Sequence, residues 1–351
     1  MSIKTYQHHQ AFKLESGKKI AELEIAYHTF GKLNADKSNV VWVCHALTAN
    51  SDVFEWWAGL FGKKNLFNAD EHFIVCANIL GSHYGTTNPL SKNEVTGLTF
   101  CLSFPQFTIR DMVAAHQLLA DHLQISNIDV LIGGSLGGQQ ALEWAVMEPD
   151  KIKNLVVLAT NAQHSPWGIA FNESQRLAIS ADRTFYAANP KGGLKGLKAA
   201  RSMALLSYRT YESYVRTQSE VDDAQQDLFK ASSYQNYQGE KLVKRFNAYS
   251  YWYLTKAMDT HNLGRNRTSV KDALKTIKAN TLTIGIKNDF LFPIEEQKFL
   301  TEHISKSKYS EISSFYGHDG FLLETQQLEN IIGDFLRDAK AETKKSNLKI
   351  A

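Results

Sequence analysis

Residues Asn127 to Met147 leave the chain little freedom. An apolar run, Ile128, Val130, Leu131 and Ile132, reads as a buried parallel strand. It runs straight into Gly133-Gly134-Ser135-Leu136-Gly137, and a helical pattern begins at once. Strand, tight turn and helix in so short a space force two backbones together, which glycines on both sides of Ser135 permit. The apex of such a Gly-x-Ser-x-Gly turn is strained and pushes the serine hydroxyl out beyond the sheet edge. The helix that follows aims free N–H groups and a positive dipole end at the same point, favouring negative charge there. Ser135 is therefore the candidate nucleophile. Glycine-rich turns also close strands for packing or bind phosphate, so the assignment depends on partners elsewhere in the chain.

The rest of the sequence supplies a setting for that turn. Val40 to Cys44 and Phe73 to Leu80 are continuous apolar runs, each ending in a loop, as buried strands of an α/β sheet do at the carboxyl edge where such folds carry their sites. Residues 20 to 30 alternate apolar and polar, which predicts an edge or near-edge strand. Helical spacing from Thr108 to Leu123 gives a crossover helix, and Ile152 to Leu158 another buried strand. This rhythm predicts an α/β fold with a mostly parallel, doubly wound sheet.

The rhythm stops after residue 160. Residues 161–279 show helical pattern, over 172–181, 194–208, 222–232 and 242–260, and no convincing buried strand. That is too long for a loop, so it reads as a helical cap, or lid, inserted into a core made of residues 1–160 and 280–351. The sheet resumes at Leu282 to Asp289 and ends with Tyr309 to Phe315, before a closing helix over 328–339 and a basic tail from Lys340 to Lys349. Phe246, Tyr249, Tyr251, Trp252 and Tyr253 in the cap read as packing or oligomer contacts.

Composition narrows the function classes. No stretch approaches the roughly 18 apolar residues that span a bilayer, and the start lacks a secretory apolar region, so a cytoplasmic protein with no membrane partner is expected. A net charge of +3, dispersed along the chain, argues against a nucleic-acid surface. Cys44, Cys76 and Cys101 are too widely spaced for a metal site or a disulfide framework and are expected as buried thiols.

A serine nucleophile needs a base to take its proton and a carboxylate to hold that base in one tautomer. In this kind of sheet the chain order is serine, acid, histidine, with the acid after a late strand and the histidine behind the last one. Asp289 follows the strand at 282–286, and His318, between Gly317 and Gly320, follows the last strand. His45 and His83 lie in loops at the same edge but lack that position and are expected either to be structural or to support the site from behind, while Asp111 near a helix start is expected as a dipole-favoured residue. The oxyanion needs two N–H donors, expected from Leu136, next to the nucleophile, and from Leu47 in the loop after Val40 to Cys44.

With these residues in view, the chain resembles a known family. His45-Ala-Leu-Thr48, Asn78-Ile-Leu-Gly81 with Tyr84-Gly-Thr86, Gly133 to Gly138 with Gln140 to Ala145, Leu291-Phe-Pro293 and Gly317-His-Asp319 resemble the homoserine O-acetyltransferases of the α/β-hydrolase superfamily. The resemblance implies an α/β-hydrolase fold and, as partners, acetyl-CoA and L-homoserine. It implies a ping-pong transfer of acetyl through an acyl-serine in methionine biosynthesis, by a homodimer. Acetyl-CoA would be a co-substrate, with no cofactor and no metal. It also implies that Arg201 and Tyr208, on one face of a cap helix, bind the amino-acid carboxylate, and that Asp319 binds its ammonium. Leu136 and Gln139 stand where the family often has methionine, and Asn88 where it has glycine; the last two are expected to reshape the acyl or acceptor pocket. Relatives with similar motifs use succinyl-CoA as donor or serine as acceptor, and a serine esterase shares the same three catalytic residues. A catalytically dead hydrolase that only binds is the rival from outside the enzymes.

Overall fold

The computed structural model describes residues 2–94 and 96–350. Eight strands form one sheet: β1 (Lys4–His8), β2 (Leu23–Phe30), β3 (Val40–Cys44), β4 (Phe73–Ala77), β5 (Ile128–Gly134), β6 (Ile152–Leu158), β7 (Asn280–Ile286) and β8 (Ser307–Ile312). Their spatial order is β1-β2-β4-β3-β5-β6-β7-β8. Strands β3 to β8 run parallel, while β2 pairs antiparallel with both β1 and β4. The strand over 20–30 is thus near the edge, and β1 is the edge itself. No apolar periodicity announces β1, because most of its side chains face solvent.

Every residue of β3 is buried, and alternate residues serve opposite faces. Val40, Trp42 and Cys44 join the layer packed on helices α1 (Ile109–His122) and α2 (Leu136–Met147). Val41 and Val43 join the other layer, with Phe321, Leu328 and Ile332 from the end of the chain. Helix α1 starts where Thr108 and Asp111 cap one another reciprocally, so Asp111 is a structural cap residue.

Between β6 and β7 the chain forms α3 (Pro166–Ala181), α4 (Leu194–Tyr208), α5 (Tyr211–Gln218), α6 (Lys230–Val243) and α7 (Ala248–Asp259), followed by a short helix, Val270–Lys275. Helix α4 packs between α3 and α6. Two expected helices differ. Residues 222–229 are not helical; the large apolar side chains there and just before, Leu228 and Val221, are 79% and 89% exposed and have no face to pack on. The stretch 242–260 is broken before Ala248, where the Asn247 side chain accepts the Ser250 N–H and starts a new helix. Phe246, Tyr249, Tyr251 and Tyr253 are buried packing residues.

After β7 come α8 (Ile294–His303) and β8, and the chain closes with α9 (Thr325–Ile350). The side chains of residues 343–350, in the basic tail, lie outside the described residues. All three cysteines are buried free thiols. Among the described residues no helix is long and apolar enough to cross a membrane.

Candidate active site

The turn between β5 and α2 is as tight as its sequence demands. Ser135 sits at φ 56° and ψ −125°, a conformation that costs an ordinary residue strain energy. A β-carbon at Gly137 would strike the Cys44 carbonyl, and one at Gly133 would strike the carbonyl of Gly137, so larger residues would push α2 away from β3. The Ser135 carbonyl is held by the Thr160 hydroxyl at 2.8 Å, and the Thr160 carbonyl by Gln297 Nε2 at 2.7 Å.

Three distant side chains meet at this turn. Ser135 Oγ lies 3.0 Å from His318 Nε2, and His318 Nδ1 lies 2.6 Å from Asp289 Oδ2. The other oxygen of Asp289 accepts the Leu291 and Phe292 N–H groups, each at 2.8 Å, which fixes the carboxylate toward the ring. Phe292 stacks on the imidazole and Phe321 meets it edge-on, so the ring has one orientation. Burial pulls the His318 pKa down, but the Asp289 charge and hydrogen bond, with Asp319 nearby, outweigh it, and the net direction is up. A serine hydroxyl so placed can lose its proton to the imidazole as it attacks a carbonyl.

The two expected oxyanion donors are free to receive a ligand atom. Neither the Leu136 nor the Leu47 N–H has a hydrogen-bond partner among the described residues. The loop carrying Leu47 lies against the nucleophile turn, since Gln140 of α2 donates to the His45 carbonyl at 3.2 Å. His45 and His83 both hold neighbouring loops. His45 accepts the Ile79 N–H at 3.0 Å, and burial holds its pKa down to about 4, so it stays neutral. His83 takes a hydrogen bond from Asn247 at 2.8 Å.

Ser135 and His318 open into a cavity of about 560 Å³ that Leu47, Arg201, Tyr208 and Asp319 also line. Arg201 lies over the Tyr208 ring, 5.4 Å from its centroid, and makes no ion pair with a carboxylate among the described residues. Asp319 is not free: Arg209 Nη2 stands 3.1 Å from its carboxylate. Gln139 and Asn88 do not line this cavity, contrary to expectation. Gln139 is fully buried behind the turn, donating to Asn161 at 3.0 Å and facing His164 at 3.2 Å, and Asn88 braces its own loop through Thr86 and Leu90. A residue on the first turn of the helix after the nucleophile faces the core as readily as the pocket, and spacing alone does not choose between them.

The family pattern of the alpha/beta hydrolase fold matches residues 39–325. A homoserine O-acetyltransferase of Cyclobacterium marinum is 48% identical over 326 residues, covering 93% of this chain and 93% of that one. The chain belongs to the homoserine O-acetyltransferase family. Among solved structures, the homoserine O-acetyltransferase of Bacillus anthracis superposes with a TM-score of 0.88 at 24% identity, covering 96% of this chain and 98% of that one. Esterase E22 superposes with a TM-score of 0.87 at 22% identity over 95% of this chain and 99% of that chain. At such identities the likeness is one of fold, shared by transferases and esterases, so the chemistry has to be argued from the pocket.

One cavity residue, and one buried acid behind the site, escaped the sequence reading in this homoserine O-acetyltransferase family member. Arg245, from the turn between α6 and α7, lines the cavity and bonds to Thr48 and Tyr84. In sequence it is one cation beside Lys244, with nothing to set it apart. Glu296, at the start of α8, does not line the cavity and accepts Asn161 Nδ2 at 3.0 Å; burial, then the nearby Asp289, pushes its pKa up to about 7. Its signal in sequence, an acidic residue in a first helical turn, is shared with Glu295 and is too common to be informative.

Proposed function

We propose that the chain transfers acetyl from acetyl-CoA to the hydroxyl of L-homoserine, in methionine biosynthesis, through an acyl-Ser135 intermediate. The observation that carries this reading beyond the shared fold is the pairing of an uncompensated guanidinium, Arg201, with a carboxylate, Asp319, in the cavity of the nucleophile. An amino acid presents the complementary pair of charges, whereas a simple ester presents neither.

In the first half-reaction Ser135 Oγ attacks the thioester carbonyl while its proton passes to His318 Nε2, and the Leu47 and Leu136 N–H groups receive the oxyanion. The C–S bond breaks, and the thiolate leaves with the proton from His318. In the second, His318 takes the proton of the homoserine hydroxyl as that oxygen attacks the acyl-serine, and returns a proton to Ser135 as the ester departs. Asp289 keeps His318 in the tautomer with Nδ1 protonated. Arg201, with Tyr208 stacked beneath it, holds the homoserine carboxylate, and Asp319, shared with Arg209, holds its ammonium. These contacts place the hydroxyl where water would otherwise react, and the helices of residues 161–279 act as the lid that limits solvent.

The reading needs no cofactor, and it places the enzyme in the cytoplasm, where its CoA donor is found. A homodimer is part of the proposal; the exposure of Leu206, Tyr211 and Val215 on α4 and α5 supports it. The test is thiol release with acetyl-CoA or succinyl-CoA crossed with homoserine or serine. Sustained release only with acetyl-CoA and homoserine, with parallel double-reciprocal lines, is expected. Fast hydrolysis of p-nitrophenyl acetate that homoserine does not divert would make the protein an esterase instead.

A further inference from the structure

We propose that Arg245 is a positioning residue that completes the oxyanion site from the helical insertion, by holding the carbonyl of Thr48, the residue after Leu47. The inference rests on Leu47 as an oxyanion donor, and not on the identity of the acyl acceptor.

The loop from His45 to Ser51 is fixed at its two ends by buried polar contacts. At the first end His45 Nε2 accepts the Ile79 N–H at 3.0 Å, and Nδ1–H donates to the Ala46 carbonyl at 2.8 Å. At the other, the Ser51 N–H donates to Asn78 Oδ1 at 2.8 Å, and Asn78 Nδ2 donates to Ser51 Oγ at 2.9 Å. The crest between them, Leu47 to Ala49, lines the cavity and has no such anchor from the core. Among the described residues its side-chain hydrogen bonds come from Arg245. Nη1 donates to the Thr48 carbonyl and to the Tyr84 hydroxyl, each at 2.6 Å, and Nη2 reaches Thr48 Oγ1 at 3.4 Å.

The guanidinium is delivered from a fixed point. Phe246, next in the chain, is 2% exposed and meets the rings of His83 and Tyr84 edge-on, and Asn247 donates to His83 at 2.8 Å. The turn between α6 and α7 is therefore pinned to the 83–84 loop, and Arg245 projects from it onto the crest. Arg245 also has no ion-pair partner among the described residues, so its positive charge is uncompensated beside the place where an oxyanion forms. Oxyanion donors work because they are oriented before the charge appears, so a crest free to rock would weaken the Leu47 donor without removing it. Both hydrogens of Nη1 are already committed to protein oxygens, which favours a bracing role over direct contact with the acyl donor.

The experiment is pre-steady-state acylation by p-nitrophenyl acetate and by acetyl-CoA, in the parent and in R245M, R245K and R245A. The first substrate needs only the nucleophile, its base and the oxyanion donors, so it reads the brace even if homoserine proves not to be the acceptor. R245M is expected to slow acylation by both substrates by the same factor, about tenfold, since a loosened donor should cost less than the ~100-fold of a deleted one. KM for homoserine should be unchanged, R245K intermediate, and R245A partly restored by added methylguanidinium. Unchanged acylation by p-nitrophenyl acetate in R245M overturns the proposal; if KM for acetyl-CoA rises at the same time, Arg245 touches the donor itself. Should R245M fail to fold, R245K and the methylguanidinium response of R245A decide: no loss in the former and no rescue in the latter overturn it.

Discussion

The balance of forces on His318 decides how the site responds to pH. Burial alone would lower its pKa, yet the Asp289 charge and hydrogen bond, aided by Asp319, set it above its ordinary 6.5. The base acts only when neutral, so kcat/KM for acylation should fall as pH drops through a value above 6.5. D289N removes the larger part of the upward push and leaves burial opposed by Asp319 alone. The acidic limb of the pH profile should then move below 6.5, while kcat falls by about 10⁴ because the ring loses its tautomer. An unmoved limb in D289N would mean that Asp289 does not set the proton affinity of the base. The same shift has a stability sign: protonated His318 favours the folded state below its ordinary pKa, and that contribution fades as pH rises through the folded value. Ser135, Asp289 and His318 were readable one by one because chain order and strand ends locate them. Arg245 was not, because its role depends on a turn docking against loops far away in the chain.

At the level of elements, the junction of β3, β5 and α2 is the least forgiving part of the fold. In G137A the new methyl group would meet the Cys44 carbonyl, which cannot swing aside because it belongs to a paired central strand. A loss of about 1–3 kcal/mol in urea unfolding is expected, with activity falling further because the turn carries the nucleophile. Stability equal to the parent would show that α2 and β3 can separate freely. The legibility of elements follows the same logic. Interior parallel strands such as β3 are buried on both faces and read as unbroken apolar runs, so they stand out in sequence. Strand β1 is defined by hydrogen bonds to β2 and keeps a polar exterior, so nothing in its side chains announces it. The stretch at 222–229 shows the reverse failure, in which an expected helix had no surface to pack against.

Across the whole molecule, a charge network ties the returning end of the insertion to the core. Arg110 of α1 pairs with Glu143 of α2 at 2.8 Å and with Glu15 at 2.7 Å, while Arg267 reaches Glu143 at 2.5 Å and Arg265 reaches Glu15 at 2.7 Å. Burial raises the Glu143 pKa, but its bonds to Arg267 and Arg110 overcome this and hold it below the usual 4.5. Its contribution to stability is therefore present above 4.5 and lost as pH falls through the folded value. E143Q leaves two arginines short of a counter-charge and should cost about 3 kcal/mol at neutral pH, with a smaller deficit in acid. Urea unfolding at the two pH values checks this, and an equal deficit at both would remove the charge from the explanation.

The sequence by itself determined the strand–turn–helix that exposes Ser135, the order of the sheet's apolar runs, and the positions of Asp289 and His318. Those are set by local backbone geometry and by hydrophobic period, which act between neighbours in the chain. Only the tertiary structure decided which face of α2 Gln139 occupies, that Asp319 is shared with Arg209, and that Arg245 lies over the Leu47 loop. These are contacts between segments far apart in sequence, and a hydrogen bond to a backbone carbonyl leaves no mark on the residue that provides it.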